Sequence, residues 1–462
     1  MNKKICSYSL GYMGQGAAYN FMSTYFIVFM TDCVGMSSTL SSAIMSLALL
    51  AEVLAGMTVG SISDGCSSRM GRRRPFILLA CLTLPLIILL LFSADAGFGR
   101  LQFAYYLILS IFFRISFSCY EIPAGALGAE IATGYDERIK LRTASRLFGI
   151  LGNTIAYTLP LFALELTARQ QDGWRLAAVV IACVCFFTWL TSFILTRPYA
   201  GPAGSKRSQR KLFKEVFTSY LELSRLKPMR ILIIYKAAFA CAIALFNTGT
   251  VYYMRCCAGF SNTYISYVYF ITSAVFLITT PLINRMALRM GKARQQKIML
   301  TTAGTAGLGF FLLGSASGPG VFLYIVIFAV TQNSFWQLSP SIFYDIVEVD
   351  EFVNGKKREG DIMSMVSVLG TLCTSVAVQL FGLALDLAGY DAALASQPGA
   401  VTTFLSAAYV LTPSLCFLAG ALALLRFPID KDTFNALKQA VMKKNAGEDY
   451  SRYSAALERI LK

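Results

Sequence analysis

The chain has 462 residues, of which 56% are hydrophobic and only 14% charged, and its mean hydropathy is +0.59. A soluble globular protein carries roughly 25% charged residues, so composition overrides the soluble domains that the length alone would suggest. The net charge of +16, from 41 Lys plus Arg against 25 Asp plus Glu, is spread through short connections between apolar stretches. That distribution argues against a nucleic-acid surface and for membrane topology.

A helix needs about 20 apolar residues to cross the hydrocarbon core. Such stretches fall near 10–33, 41–62, 75–95, 102–131, 143–167 and 174–196, and again near 230–256, 263–288, 297–315, 320–347, 362–386 and 401–427. They predict an all-α membrane protein with twelve spans in two six-helix halves, 1–196 and 230–427. Residues 197–229, rich in Pro, Gly, Ser and basic residues, read as a cytoplasmic linker. The polar tail 428–462 has an amphipathic look around Phe434 to Met442 and Tyr453 to Leu461, which predicts a solvated or membrane-surface helix.

Basic residues crowd the even-numbered connections: Arg69 and Arg72 to Arg74, then Arg138, Lys140 and Arg142, then Lys206 to Lys214, Arg285 to Lys297, and Lys356 to Arg358. The odd-numbered connections hold few. By the positive-inside bias, both termini are expected in the cytoplasm of a cell inner-membrane protein. The first span is full length and has no small-residue cleavage pattern, so no cleaved signal peptide is expected.

Most of the twelve cysteines lie inside apolar runs, where a free thiol behaves as a small hydrophobe. There is no histidine, no HExxH, no Gly-rich phosphate loop and no CxxC pair with zinc spacing. An enzyme, a metal site and a cofactor are therefore not expected.

The two halves repeat a motif. After the second span the chain reads Asp64, then Arg69-Met70-Gly71-Arg72; after the eighth it reads Asn284, then Arg289-Met290-Gly291-Lys292. Asp136-Glu137 after the fourth span echoes Asp350-Glu351 after the tenth. Two repeated six-helix halves with a central site are the architecture of major facilitator transporters. A carboxylate at a helix end, followed by basic residues across a tight turn, can hold helices together at one face. Asp64, Arg69, Arg72, Arg138 and Asp345 are accordingly expected to form a gate.

With Asp64 to Phe76 the chain resembles the glycoside–pentoside–hexuronide:cation symporters, the melibiose permease family. Thr31-Asp32 to Ser37, Tyr120-Glu121-Ile122-Pro123, Arg146, Phe335-Trp336 and Asp345 to Glu348 match in order and spacing, up to about residue 427. The resemblance implies symport of a sugar with a cation. It implies that Glu121 and Arg146 contact sugar and that Glu52 is a cation-site carboxylate. The chain departs from the family pattern at Gly16, Gly56, Gly125 and Thr371, so neither melibiose nor sodium coupling follows.

A charge inside a span costs roughly 2.5–3.5 kcal/mol on insertion scales unless it is paired or wet. Glu52, Arg114 and Glu121 lie mid-span, Arg146 early in the fifth span and Lys236 a turn or two inside the seventh. Arg114 and Glu121 are seven residues apart and share a helix face, so Glu121 is expected to serve two arginines and to bind substrate. Glu52, with no evident cation nearby, is expected to carry a coupling proton. Two guanidinium groups against one carboxylate would tilt the site toward an anionic solute such as a hexuronide. Tyr19, Asn153, Asn247, Trp336 and Gln337 complete the expected substrate contacts, since aromatic rings and amides suit sugar faces and hydroxyls. Charges nearer span ends, including Glu165, Arg255 and Asp386, are expected to snorkel or form gate pairs. A major facilitator protein moving a lipid or drug would have less use for the mid-span ion cluster.

Overall fold

A computed structural model of the protein describes residues 3–64, 66, 68, 70–71, 73–93, 101–131, 135–197, 213–314, 318–356, 358–394 and 396–461. In chain order the helices are α1 (Lys3–Ser9), α2 (Gly11–Asp32), α3 (Ser38–Asp64), α4 (Arg74–Ser93), α5 (Gln102–Ile131), α6 (Tyr135–Leu166) and α7 (Gln170–Leu195). They continue with α8 (Phe213–Ser224), α9 (Lys227–Cys256), α10 (Asn262–Met290), α11 (Lys292–Leu313), α12 (Gly318–Asn354) and α13 (Glu359–Leu387). Last come α14 (Gly399–Ser406), a π-helical turn (Ala407–Leu411), α15 (Thr412–Leu425), α16 (Lys431–Asn445) and α17 (Ser454–Leu461).

Among the described residues, ten helical segments are long and apolar enough to cross a bilayer. Two more helices of 22 residues each, α2 and α11, fall short on composition only. Polar side chains of α2 such as Gln15 and Asn20, and the basic first turns of α11, lower their hydropathy. With these two, the described helices are consistent with twelve spans. Prolines 85, 123, 160, 281 and 340 lie inside helices. Neighbouring helices and local backbone adjustment make such breaks tolerable within a membrane.

The helices form two compact units. The first comprises described residues within Met1–Arg210, Asn247–Ala274 and Ser375–Leu405; the second, those within Lys211–Phe246, Val275–Thr374 and Ser406–Lys462. The C-terminal parts of α9 and α13 and the N-terminal part of α10 thus belong with α2 to α7. In the first unit α2 packs on α6 and α7, α3 on α5, and α4 on α5 and α7. An aromatic cluster fills its core: Phe21 to Phe92 at 4.3 Å, Phe29 to Phe92 at 4.8 Å and Phe29 to Trp174 at 5.7 Å between ring centroids. The second unit is centred on Phe239 stacked on Phe335 at 3.4 Å and Phe246 on Phe328 at 3.6 Å. Leu79, Leu82 and Leu86 stand exposed along one face of α4. That leucine face suits lipid.

In the tail α16 packs on α12 and buries Leu437, Ala440 and Val441, an i, i+3, i+4 stripe, while Lys431, Asp432 and Lys438 stay exposed. Lys444 Nζ donates to the Phe352 carbonyl at 2.5 Å, and Asn445 donates to Glu351 at 3.0 Å. Asp430 starts α16 with a capping box, accepting from the Asp432 and Thr433 amides at 3.1 and 2.9 Å. Those amide bonds hold the Asp430 carboxyl below its ordinary range.

The glycine of each Arg-Met-Gly string takes a left-handed backbone conformation. Gly71 has φ 94° and Gly291 has φ 87°, left-handed values that a side chain resists. The repeat is therefore one of backbone shape as well as of spelling.

Candidate functional site

In the first unit the charged cluster is organised around Arg114. Its guanidinium is fully buried, and Nη1 pairs with Glu52 Oε2 at 2.9 Å. Nη2 lies 3.4 Å from Met45 Sδ, and the guanidinium carbon sits 5.4 Å from the Tyr19 ring centroid. Nε has no hydrogen-bond partner among the described residues. The expectation that Glu52 lacks a cation, with Arg114 serving Glu121, is thus corrected. Arg114 and Glu121 do share a face of α5, but α3 packs along that helix and brings Glu52 to the arginine first.

Glu121 is exposed and accepts from Gln15 Nε2 at 3.2 Å. It lies close enough to Glu52 and Arg114 for their charges to act on it. From α2, Gln15 reaches Glu121 and Tyr19 covers Arg114, while Tyr12 bonds Tyr8 at 3.0 Å. Arg146 is half-buried on α6.

Asn153 is held by other residues. Tyr157 donates to Asn20 Oδ1 at 2.7 Å, and Asn20 Nδ2 donates to Asn153 Oδ1 at 2.7 Å and to the Gly16 carbonyl at 3.0 Å. A Cβ at Gly16 would strike Asn153 and stand 2.7 Å from the Gly149 carbonyl. Gly16 is therefore the close-approach point of α2 on α6, and the carboxylate that the family pattern would place there has no room. Asn20, one turn beyond Gly16, is a site residue that the sequence reading passed over. Its four-residue spacing from Gly16 was the available signal. Asn247 lies half-buried on α9.

At one end of the first unit, helices from both sequence halves are tied together. Asp32 on α2 pairs with Arg255 on α9 at 3.0 Å and accepts from Tyr390 at 2.9 Å and Thr31 at 2.8 Å. Thr31 also bonds Tyr252 at 2.8 Å. Asp386, near the end of α13, accepts from the Ser38 and Thr39 amides at 2.8 and 2.7 Å, capping α3. Glu165, near the end of α6, accepts from the Thr263 amide at 3.3 Å, at the start of α10. The fifth span of each half thus places a carboxylate at the second span of the other, where the helix dipole favours it. These end charges form bonds across helices.

In the second unit Lys292, the counterpart of Arg72 in the repeat, bonds Asp345 at 2.6 Å and Ser341 Oγ at 3.0 Å. The expected partners Arg69 and Arg72, and the side chains of Asp64 and Arg138, lie outside the described residues. Asn284, at the position equivalent to Asp64, accepts from Gln337 at 2.6 Å. Arg358 grips Asp350 through two nitrogens at 2.6 and 2.8 Å and Glu222 on α8 at 2.6 Å. Hydrogen bonds from Lys356 and Arg358 hold the Glu222 carboxyl below its ordinary range.

Trp336 and Gln337, expected side by side in function, face differently. Trp336 is 46% exposed, whereas Gln337 turns to Asn284. Asn333 is fully buried and spends its amide on Phe276, Thr279 and Thr280, at 3.0, 3.1 and 3.0 Å. Lys236 stands 5.4 Å from the Trp336 ring and 5.2 Å from that of Phe335. Cation–π contacts are worth roughly 0.5–2 kcal/mol, less than the roughly 2.5–3.5 kcal/mol that a mid-span charge costs.

Residues 7–431 match the family model described as MFS/sugar transport protein. The chain is 24% identical over 436 residues to the isoprimeverose transporter of Lactiplantibacillus pentosus, covering 92% of this chain and 88% of that one. It is 25% identical over 399 residues to a putative sulfoquinovose importer of Salmonella typhimurium, covering 83% and 81%. Its fold is similar to the crystal structure of a D-xylose–proton symporter, with a TM-score of 0.64 at 16% identity over 92% and 96% of the two chains. The repeated halves, the ion pair at membrane depth and a family match over nearly the whole length agree: the chain is a multi-pass membrane transporter, not an enzyme, and belongs to the MFS/sugar transport protein family.

Proposed function

We propose that this sugar symporter accumulates a sugar or glycoside by alternating access, driven by protons, from the cell inner membrane with both termini cytoplasmic. The observation that carries the coupling is the Glu52–Arg114 pair at 2.9 Å. A bound sodium ion would want several oxygen ligands. Glu52 instead faces a guanidinium, and at Gly56, where relatives carry a second carboxylate, an added Cβ would meet only Ile122, at 4.0 Å. A proton taken up by Glu52 neutralises it and releases Arg114 for another acceptor. Glu121, already within electrostatic reach, and sugar hydroxyls can take that role, so proton and sugar act on one guanidinium.

Tyr19, Glu121, Arg146, Asn153, Asn247, Trp336 and Gln337 are the residues assigned to the substrate path, Asn153 and Gln337 through the amides they hold. The relatives named for isoprimeverose and sulfoquinovose support a sugar cargo. The ties of Asp32, Asp386 and Glu165 would close the outer end, and Lys292–Asp345, with Asp64, Arg69, Arg72 and Arg138, would act at the cytoplasmic end. Uptake of labelled glycosides into proteoliposomes, under an imposed pH gradient or a sodium gradient at fixed pH, tests the reading. Accumulation should follow the pH gradient alone. Accumulation driven by sodium with no response to pH would contradict it.

A further inference from the structure

Lys236 belongs to no ion pair and makes no side-chain hydrogen bond among the described residues. It lies in the first half of α9, against Phe335 and Trp336 of α12 and Gly370 of α13, inside a span. Its surroundings are built to hold it in one place. Phe335, stacked on Phe239 at 3.4 Å, and Trp336 stand at 88° to each other with the ammonium against both rings. Gly370 opens the floor: a Cβ there would lie 2.6 Å from Lys236 Cε and 3.1 Å from Nζ. Cys373 on α13 is near enough to interact with the ammonium, and among the described residues no carboxylate pairs with it. Two aromatic walls and a missing side chain therefore hold a cation that no described carboxylate neutralises.

Arg114 differs in just this respect. Its guanidinium is paired with Glu52 at 2.9 Å, whereas among the described residues no carboxylate pairs with Lys236. We infer that Lys236 is the anion-recognising group of the transport site, and that the cargo is a sugar bearing a carboxylate or sulfonate. The exposed indole of Trp336 offers the sugar ring a stacking surface while the anionic substituent reaches Nζ. A charge-assisted bond from Lys236 then replaces the partner that the protein lacks. The inference rests on the sugar-symport reading and adds the chemical class of the sugar.

Displacement of a bound glycoside from the purified full-length protein tests it, with phenyl glucuronide, phenyl 6-sulfo-glucoside and phenyl glucoside as competitors. The wild type should favour at least one anionic ligand over the neutral one by about tenfold or more. Lys236→Gln should bring that ratio to about one, and Lys236→Arg should restore most of it, with thermal midpoints reporting folding. A carboxylate-only or a sulfonate-only preference identifies which anion the site takes, and either supports the inference. A wild-type ratio near one, or a ratio that survives Lys236→Gln, overturns it while leaving sugar transport intact. If Lys236→Gln does not fold, the wild-type ratio and Lys236→Met decide in the same way. Failure of the wild type to bind any glycoside would sink the sugar reading itself, and the inference with it.

Discussion

Replacing Arg114 with Gln is expected to cost about 3–5 kcal/mol of stability, since removing one partner of a buried pair strands the other charge. Glu52 would be left at membrane depth facing Met45 and Tyr19, neither of which can neutralise it. Glu52→Gln should cost less, because an uncharged amide can still accept from the guanidinium. The double variant should lie closer to the wild type than the sum of the single changes, as coupled neighbours do. Thermal unfolding in detergent, run as a double-mutant cycle, measures this. Additive effects would mean that the two groups do not act as a pair.

The second large effect is expected at the opposite kind of position, an end rather than the middle. Arg255→Ala leaves Asp32 with hydrogen bonds from Tyr390 and Thr31 only. Both partners of the pair are mostly buried, with side chains 26% and 14% exposed. Loss of the pair should weaken the tie by about 2–3 kcal/mol, or roughly 30- to 150-fold in the equilibrium between tied and untied states. Hydrogen exchange in peptides covering 250–264 and 380–402 should rise together, because Asp32 links α9 to Tyr390. Exchange that rises in the first peptide alone would show that the residues do not form one latch.

Much of the fold was legible because a bilayer enforces it. The apolar runs, the alternation of basic connections and the repeated Arg-Met-Gly string predicted the helices, and Gly71 and Gly291 share the backbone turn that the repeat implied. Pairing was less legible. Seven-residue spacing on α5 correctly put Arg114 and Glu121 on one face, yet spacing along one helix carries no information about which neighbour arrives there. α3 arrives with Glu52. Asn153 was chosen for its chemistry, but its partner Asn20 depends on how closely Gly16 lets two helices approach. Lys236 was visible as a charge inside a span. Its lack of a counter-charge is a property of the surroundings, and no string of residues displays it. The tail helix looked amphipathic in sequence, and only the buried contacts of Leu437 and Val441 reveal that α12 supplies its apolar partner.

The central claim is that protons enter with sugar through Glu52. Sugar-evoked proton flux across proteoliposomes, recorded for the wild type and for Glu52→Gln at matched protein density, tests it most directly. The wild type should carry protons inward on addition of a transported glycoside. Glu52→Gln should carry none, while still exchanging labelled for unlabelled glycoside, because the substitution removes the titrating group but keeps a hydrogen-bond acceptor beside Arg114. Undiminished proton flux in Glu52→Gln, or wild-type sugar uptake with no proton flux, would contradict the account.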